Sequence, residues 1–393
     1  MLSSRSGHPS RLLIALLLAL ITFSYSGSAH AYAWMIRHDY TACAACHTDP
    51  SGAGLLTEYG RGLSDLVLRT RYGQTDEEPG KSSEFAFGLV KPPSWLNLGG
   101  QLRTLFLETK IASAKATPSF FLMQADLQAE ARVRNFRLNV SLGVSPTDGS
   151  AAKLVGPLVS REHWLGYATS NESLLVRVGH LNLPFGIRSI EHELFVRKAT
   201  QTDLNDTQQD GVALAYNGDS FRFEALAIAG NYQLRHDANR QRGYSLMAEV
   251  APLRNLALGV SSLITHAAQD RFLNEASTRQ AHGLSLRWAP WLPLVLLGEA
   301  DLLVRHTPSS GNLVGSATML QADTEPVQGL HFMLTGETYT PGKQAQSYSG
   351  WFGVAWFFAP HADVRVDAMR QSYVVGTMRL PVTAGMAQFH VFL

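Results

Sequence analysis

The sequence predicts a mainly β fold: a transmembrane antiparallel β-barrel of about sixteen strands, behind a small N-terminal α-helical segment. Three observations carry this expectation. From Ser94 onward the apolar residues recur with period two, and the alternating segments run about ten residues or more. The connections between those segments alternate between short and long.

In Phe121 to Arg134, the residues Phe121, Met123, Ala125, Leu127, Ala129, Ala131 and Val133 fall on one face. Gln124, Asp126, Gln128, Glu130, Arg132 and Arg134 fall on the other. Phe136 to Val144 and His361 to Tyr373 repeat the pattern. A soluble β-sandwich has the same period, but segments of this length match a tilted bilayer crossing. Short turns are expected at Arg134-Asn135, Thr169 to Ser173, Asn217 to Ser220, Pro252 to Asn255, Ala289 to Pro293, Glu325 to Gln328 and Ala359 to Ala362. Long connections are expected near 110–118, 146–160, 184–209, 232–242, 267–280, 306–311, 340–346 and 374–383. In lipid such a sheet must close, because an open edge leaves backbone groups without partners. Tyr216, Phe221, Trp288, Trp291, Trp356 to Phe358, Phe389 and Phe392 cluster near the short turns as an interfacial girdle. Short turns belong to the periplasmic side, which places both ends of the barrel there.

Composition agrees. The 393 residues carry a net charge of +1 and only 17% charged residues, with no basic stripe, so nucleic acid is not an expected partner. Residues 1–31 read as an export signal: Arg5 and Arg11 precede the apolar run Leu12 to Phe23, and Ser28 to Ala31 ends in small residues. Cleavage is expected after Ala31, with Ala33 as second choice. The apolar run is too short to span a bilayer.

Both cysteines of the chain lie in MIRHDYTACAACHTDP, Met35 to Pro50. In an exported chain, C-x-x-C followed directly by His reads as a haem c attachment motif. Cys43 and Cys46 each add a thioether to a haem vinyl group, and His47 presents its ring nitrogen to the iron. A thioredoxin-like reading lacks the surrounding βαβ pattern, and a zinc site needs further ligands. For the sixth position His38 and Met35 are both candidates, and an open or water-ligated iron is a third alternative. His331, Met333 and His361, near the periplasmic ends of their strands, are weaker ones. Leu55, Tyr59, Leu63, Leu66 and Val67 stand at helical spacing and are expected to cover one haem face. The cytochrome-like segment is thus 32–73, too small to fold alone without help. Residues 74–93 read as a polar linker, and 94–393 as the barrel.

These features resemble known families. VRVGHLNLPFGIR, Val176 to Arg188, looks like the strand-and-loop segment of phosphate-selective porins. The combination of an export signal, CAACHT followed by LLTEYGR, and a porin-sized barrel is similar to the outer-membrane fused monohaem cytochrome–porins, including their iron-oxidising members. The resemblance implies Cys43 and Cys46 as haem attachment sites and His47 as proximal ligand. It also implies electron exchange between a small extracellular redox partner and a periplasmic carrier, with Fe(II) oxidation as a possible activity. Two departures stand out: the glycine-rich DPSGAG, Asp49 to Gly54, and a chain end of Phe392-Leu393 rather than a terminal Phe.

One haem cannot relay electrons through an apolar band about 25 Å tall. The haem segment is therefore expected to plug or enter the periplasmic mouth, with Fe²⁺ reaching it through the lumen. Inward carboxylates Asp126, Glu130, Glu224, Glu299, Asp301, Glu337, Asp363 and Asp367 are candidate oxygen ligands on that path. Arg132, Arg137, Arg222, Arg305 and Arg365 would balance them as ordinary pore wall. In the longest loop, Glu191, His192 and Glu193 offer a metal site at the outer mouth. The competing function is a passive diffusion porin whose haem segment is a plug or sensor.

Overall fold

A computed structural model describes residues 33–74, 80–144, 158–189, 191, 193–203, 207–231, 239–270 and 273–393. The expected export signal and His192 lie outside the described residues.

The first strands are β1 (Leu96–Ile111), β2 (Thr117–Val133), β3 (Phe136–Val144), β4 (Leu158–Val159), β5 (His163–Ala168) and β6 (Leu174–Leu181). Next come β7 (Gln209–Asn217), β8 (Phe221–Gly230), β9 (Gln241–Leu253), β10 (Leu256–Ala267), β11 (Ser277–Trp291) and β12 (Leu294–Thr307). The wall ends with β13 (Gly311–Val327), β14 (Leu330–Thr340), β15 (Ser347–Ala359), β16 (Ala362–Val375) and β17 (Met378–Phe392). Each pairs antiparallel with its sequence neighbours, and β1 pairs with β17, which closes the sheet. The two-residue β4 and then β5 both pair with β3, so together they form one interrupted stave. The result is the closed sixteen-stave barrel that the alternation predicts.

Alternation sets the two faces. In β3 the residues Phe136, Leu138, Val140 and Leu142 are exposed on the outside, and Arg137, Asn139 and Ser141 are buried inside. The outside is apolar on stave after stave, which is the surface a bilayer covers.

Three local departures from the expected pattern have identifiable causes. In β2 the ladder slips at Arg103/Thr104, so that Met123 is the extra residue of a β-bulge. Beyond the bulge the phase inverts: Met123 is buried inside and Phe120 is exposed, whereas Leu127 still faces out. The connection expected near 374–383 is a two-residue turn, because the β16–β17 ladder runs on to Val375↔Met378 and Gly376 supplies the positive φ. Similarly, β12 and β13 remain paired to Thr307↔Gly311.

The girdle holds for Tyr216, Phe221, Trp288, Trp291, Trp356 and Phe389, which are all outwardly exposed. Phe357 and Phe392 are not part of it. Period two sends both inward, where they pack with Met35, Cys46, Leu63 and Leu68 of the N-terminal segment.

The longest loop also departs from expectation. It folds into the lumen rather than capping the mouth. Pro184 accepts a hydrogen bond from Ser245 at 2.8 Å, the Ile187 amide donates to Glu299 at 2.7 Å, and the Phe195 amide donates to Glu337 at 2.5 Å. A one-and-a-half-turn helix, Phe195–Thr200, then packs against β12, β13 and β14. Its burial of Leu194, Phe195 and Val196 draws the loop inward.

Candidate cofactor site in the lumen

The N-terminal segment begins with a 3₁₀ turn, Ala33–His38, and a second one, Cys43–Ala45. Within the second, the Cys46 and His47 amides both donate to the Cys43 carbonyl, at 3.2 and 3.0 Å. Both cysteines and the histidine thereby share one helical turn. The chain then doubles back, with His47 opposite Leu56 in an antiparallel bridge. The Thr48 amide bonds the Leu55 carbonyl at 3.0 Å, and the Thr57 amide bonds the Cys46 carbonyl at 2.8 Å. DPSGAG is the tip of this hairpin. Gly52, Ala53 and Gly54 hold φ of 90°, 74° and 67° in succession, which suits glycine and is costly for most other residues.

Thr57 caps the following helix, Glu58–Leu63, by accepting from the Gly60 amide at 3.1 Å. Gly60 lies directly against the haem motif: a Cβ there would stand 2.5 Å from the Cys46 carbonyl oxygen. The helix widens into a π-turn, Ser64–Leu68, closed by the Arg69 amide on Ser64. The wider turn shifts the apolar face by a residue. Leu55, Leu63 and Leu68 are buried, Val67 is partly so, and Tyr59 points out at 50% exposure. Strict 3.6-residue spacing overlooks Leu68 for this reason, whereas Tyr59, which precedes the wide turn, falls on the outer face of the regular helix.

Residues 33–74 enter the barrel from the short-turn rim and meet the wall on every side. Arg37 pairs with Asp323 of β13 and donates to the Pro293 carbonyl at 3.0 Å. Arg287 of β11 donates to the Thr41 carbonyl at 2.5 Å. Asn139 of β3 bonds Thr48 at 3.1 Å, and Gln101 of β1 bonds the Gly54 carbonyl at 3.2 Å. At the tip, Ser51 donates to Glu224 of β8, Asn182 donates to Asp49 at 2.9 Å, and Arg177 of β6 lies 3.5 Å from Asp49. The exit is pinned too, by the Thr70 amide on the Phe357 carbonyl at 2.8 Å and Tyr72 on the Phe358 carbonyl at 3.0 Å. Past residue 79, the stretch expected as linker carries a 3₁₀ turn, Lys81–Ser83, then a kinked turn at Phe85–Gly88 with Ala86 and Phe87 at positive φ. It packs Phe87 edge-on to His361 at 5.7 Å.

Between this segment, the inward loop and the wall lies a cavity with about 1750 Å³ of atom-free space, including the solvent at its opening. Met35, Cys46, His47, Met333, Phe357 and Phe392 line it. From β12 to β15 the lining is mostly apolar, with Gln321 and His331 among Leu297, Met319, Met333, Ala355 and Phe357, and polar side chains from β1, β2 and β16 face it.

His47 Nδ1 is buried there without a hydrogen-bond partner. Burial pushes the imidazole down to about 4, against the opposing pull of Asp49, so the ring is neutral and able to bind a metal. Cys43 is buried but does not line the cavity; its sulfur accepts from Arg222 at 3.1 Å. A sulfur-edged cavity, mostly apolar on one side and polar on the other, with a neutral histidine fits a haem held by Cys46 and His47, with Cys43 in the same turn.

Met35 lines the cavity at 2% exposure, as do His331 and Met333. His38 does not: it stands 3.5 Å from Glu325 at the rim. His361 sits behind Phe392, at 5.6 Å between rings. His390, which sequence reading overlooked, lines the cavity. Its signal was the inward phase of β17, where Ala384, Met386, His390 and Phe392 are buried.

Seven of the eight inward carboxylates are engaged by neighbours, whereas both oxygens of Asp301 are buried without a hydrogen-bond partner. Asp126 pairs with Arg161, Glu224 with Arg177, Glu299 with Arg197, and Asp367 with Arg365. Glu130 pairs with Arg132. Glu191 reaches down to Arg365, and Glu193 holds Lys198, so the outer-mouth metal site is not assembled by these two. Among the described residues, no group of three or more His, Cys, Asp or Glu side chains is arranged to hold a metal ion.

A pH prediction follows from His47. Folded, the ring stays neutral to about pH 4, whereas unfolded it takes a proton near 6.5. Between those values the unfolded state binds more protons, so His47 makes the seated segment lose stability as pH falls from 6.5 to 4. In a haem-free Cys43→Ala, Cys46→Ala chain, NMR titration of His47 is expected near pH 4; a titration near 6.5 would show an exposed ring.

No protein-family model and no curated protein matches the sequence. Solved structures do share the fold. The loop L8 deletion mutant of OmpT, an outer membrane protein of Vibrio cholerae, aligns with a TM-score of 0.60 at 14% identity, over 76% of this chain and 99% of that one. An anion-selective porin from Comamonas acidovorans aligns at 0.59 and 12% identity, over 76% and 99%. OprB of Pseudomonas putida aligns at 0.59 and 7% identity, over 76% and 94%. At these identities the likeness is one of fold.

Proposed function

We propose that this chain is an outer-membrane electron-transfer protein in which one covalent haem c, attached at Cys43 and Cys46 and ligated by His47, sits inside a porin-like barrel. It would exchange electrons with a small extracellular redox partner, Fe(II) being the leading chemistry, and with a periplasmic carrier. The carrying observation is the placement of the CAACH turn within the lumen, with Cys46 and His47 on an apolar cavity closed in by the barrel wall. Bound there, a haem supplies one-electron chemistry shielded from bulk water.

The chain's own residues have separable roles in this reading. Met35, Leu63, Leu68, Phe357 and Phe392 form the apolar packing around Cys46. Arg177, Arg287 and Asp323 hold the segment to the wall. The short-turn rim is the periplasmic side, so the turns at Thr70 and Tyr72 present the segment's exit to a soluble carrier. The inward loop narrows the path from the long-loop rim, which suits a small donor.

Likeness to diffusion porins favours a second reading, a passive pore with a plug. Sealed liposomes separate the two. An impermeant external reductant is expected to reduce the haem and then an enclosed acceptor, with little ion conductance. Conductance without electron delivery would contradict the electron-transfer reading.

A further inference from the structure

We propose that His390 of β17 supplies the second axial nitrogen to the haem iron, so that the iron ties the N-terminal segment to the barrel wall. This inference rests on the haem reading above.

Three buried histidines of the wall, His180, His331 and His390, share an arrangement common to metal-binding imidazoles: one ring nitrogen on a carboxylate, the other without a hydrogen-bond partner. His180 stacks on His163 and does not line the cavity. In His390, Nδ1 lies 2.9 Å from Asp363 on the neighbouring stave, and the two residues face each other in register. The carboxylate holds the proton on Nδ1, which leaves the Nε2 lone pair available. Nε2 is buried with no hydrogen-bond partner, the residue is 4% exposed, and it lines the same cavity as Cys46 and His47. Phe392, whose ring lies 5.2 Å from that of His390, packs in one cluster with Cys46 and Met35. The unpartnered nitrogen therefore belongs to the same cavity as Cys46 and His47, one side chain removed from the Cys46 cluster.

The other candidates fit less well. His331 holds Nδ1 3.2 Å from Asp323, but its Nε2 lies 3.6 Å from Glu325, and Trp34 covers its ring at 4.2 Å. His38 faces Glu325 away from the cavity. Met35 lines the cavity, yet a thioether packed among apolar side chains leaves no polar demand unmet, whereas a buried Nε2 does. With imidazoles on both faces, the iron has no open position for a substrate. A haem held by His47 and His390 would supply one-electron chemistry to a donor such as Fe(II) without a coordination site for it.

Electron paramagnetic resonance of the purified ferric protein tests this. The wild type is expected to be low-spin with two imidazole ligands. His390→Ala is expected to become high-spin, and added imidazole to restore the low-spin signal. His390→Met keeps a bulky side chain in place and is expected to gain the weak red absorption band of an iron–methionine bond. Variants are compared only after heat-modifiable gel migration shows an assembled barrel. An unchanged low-spin signal in both variants, or a high-spin wild type, would overturn the assignment while leaving the haem reading standing. A wild type with no haem retained after denaturation would defeat the haem reading, and this inference with it.

Discussion

A chain carrying Cys43→Ala and Cys46→Ala is expected to reach the membrane as a folded, heat-modifiable barrel and to hold no covalent haem. The expectation separates two roles of the N-terminal segment. Its attachment to the wall runs mainly through Arg37, Thr41, Asp49, Ser51 and Thr70, with the Cys43 sulfur adding a single contact to Arg222. Barrel closure runs through the β1–β17 ladder, which owes nothing to residues 43 or 46. Haem staining of a denaturing gel and folded-versus-heated migration measure both outcomes on one sample. Loss of the barrel along with the haem would mean that the loaded segment is a folding element of the wall.

The second large effect is expected at Arg177. Its side chain is fully buried in the lumen, paired with Glu224 and within 3.5 Å of Asp49 at the hairpin tip. Arg177→Ala leaves two buried carboxylates without their common cation. Removing one member of a buried ion pair typically costs about 3–5 kcal/mol, and here the cost falls on the seating of the segment. The Arg177 and Arg188 guanidiniums hold the Asp49 carboxyl low against its burial, so losing Arg177 removes much of what keeps that charge in place. Residues 33–74 should then exchange amide hydrogens and be cut by protease faster, by orders of magnitude at that energy, while the strands stay protected. Equal protection in wild type and variant would show that the tip contributes nothing to seating.

Most of the wall was legible because a barrel's two environments write themselves into alternate residues. Phe136 to Val144 needs nothing more than period two to be placed with the correct faces. What was not legible had local causes. The bulge at Met123 inverts the phase of the upper part of β2, and nothing in the composition of that strand announces the extra residue. The π-turn after Leu63 likewise rotates Leu68 inward, beyond the reach of a regular helical spacing. The inward course of the longest loop depends on partners far away in sequence, such as Glu299 and Glu337, that accept its amides.

The site was half legible. The CAACH motif is local, so spacing alone marks Cys43, Cys46 and His47 as the candidate haem residues. The lumen residues that meet the motif come from staves up to several hundred residues away, and only closure of the sheet brings them together. His390 is such a residue: its inward phase could be read from β17, but its neighbourhood with Cys46 could not. The glycine-rich DPSGAG, a departure from the resembling family, proves to be the hairpin tip that reaches Arg177 and Glu224.

The most direct test of the central claim is the intact mass of the denatured, purified chain, taken together with its reduced and oxidised absorption spectra. The account predicts a mature chain heavier by one haem, with c-type absorption bands that survive denaturation. A mass equal to that of the bare polypeptide, with no such bands, would contradict it.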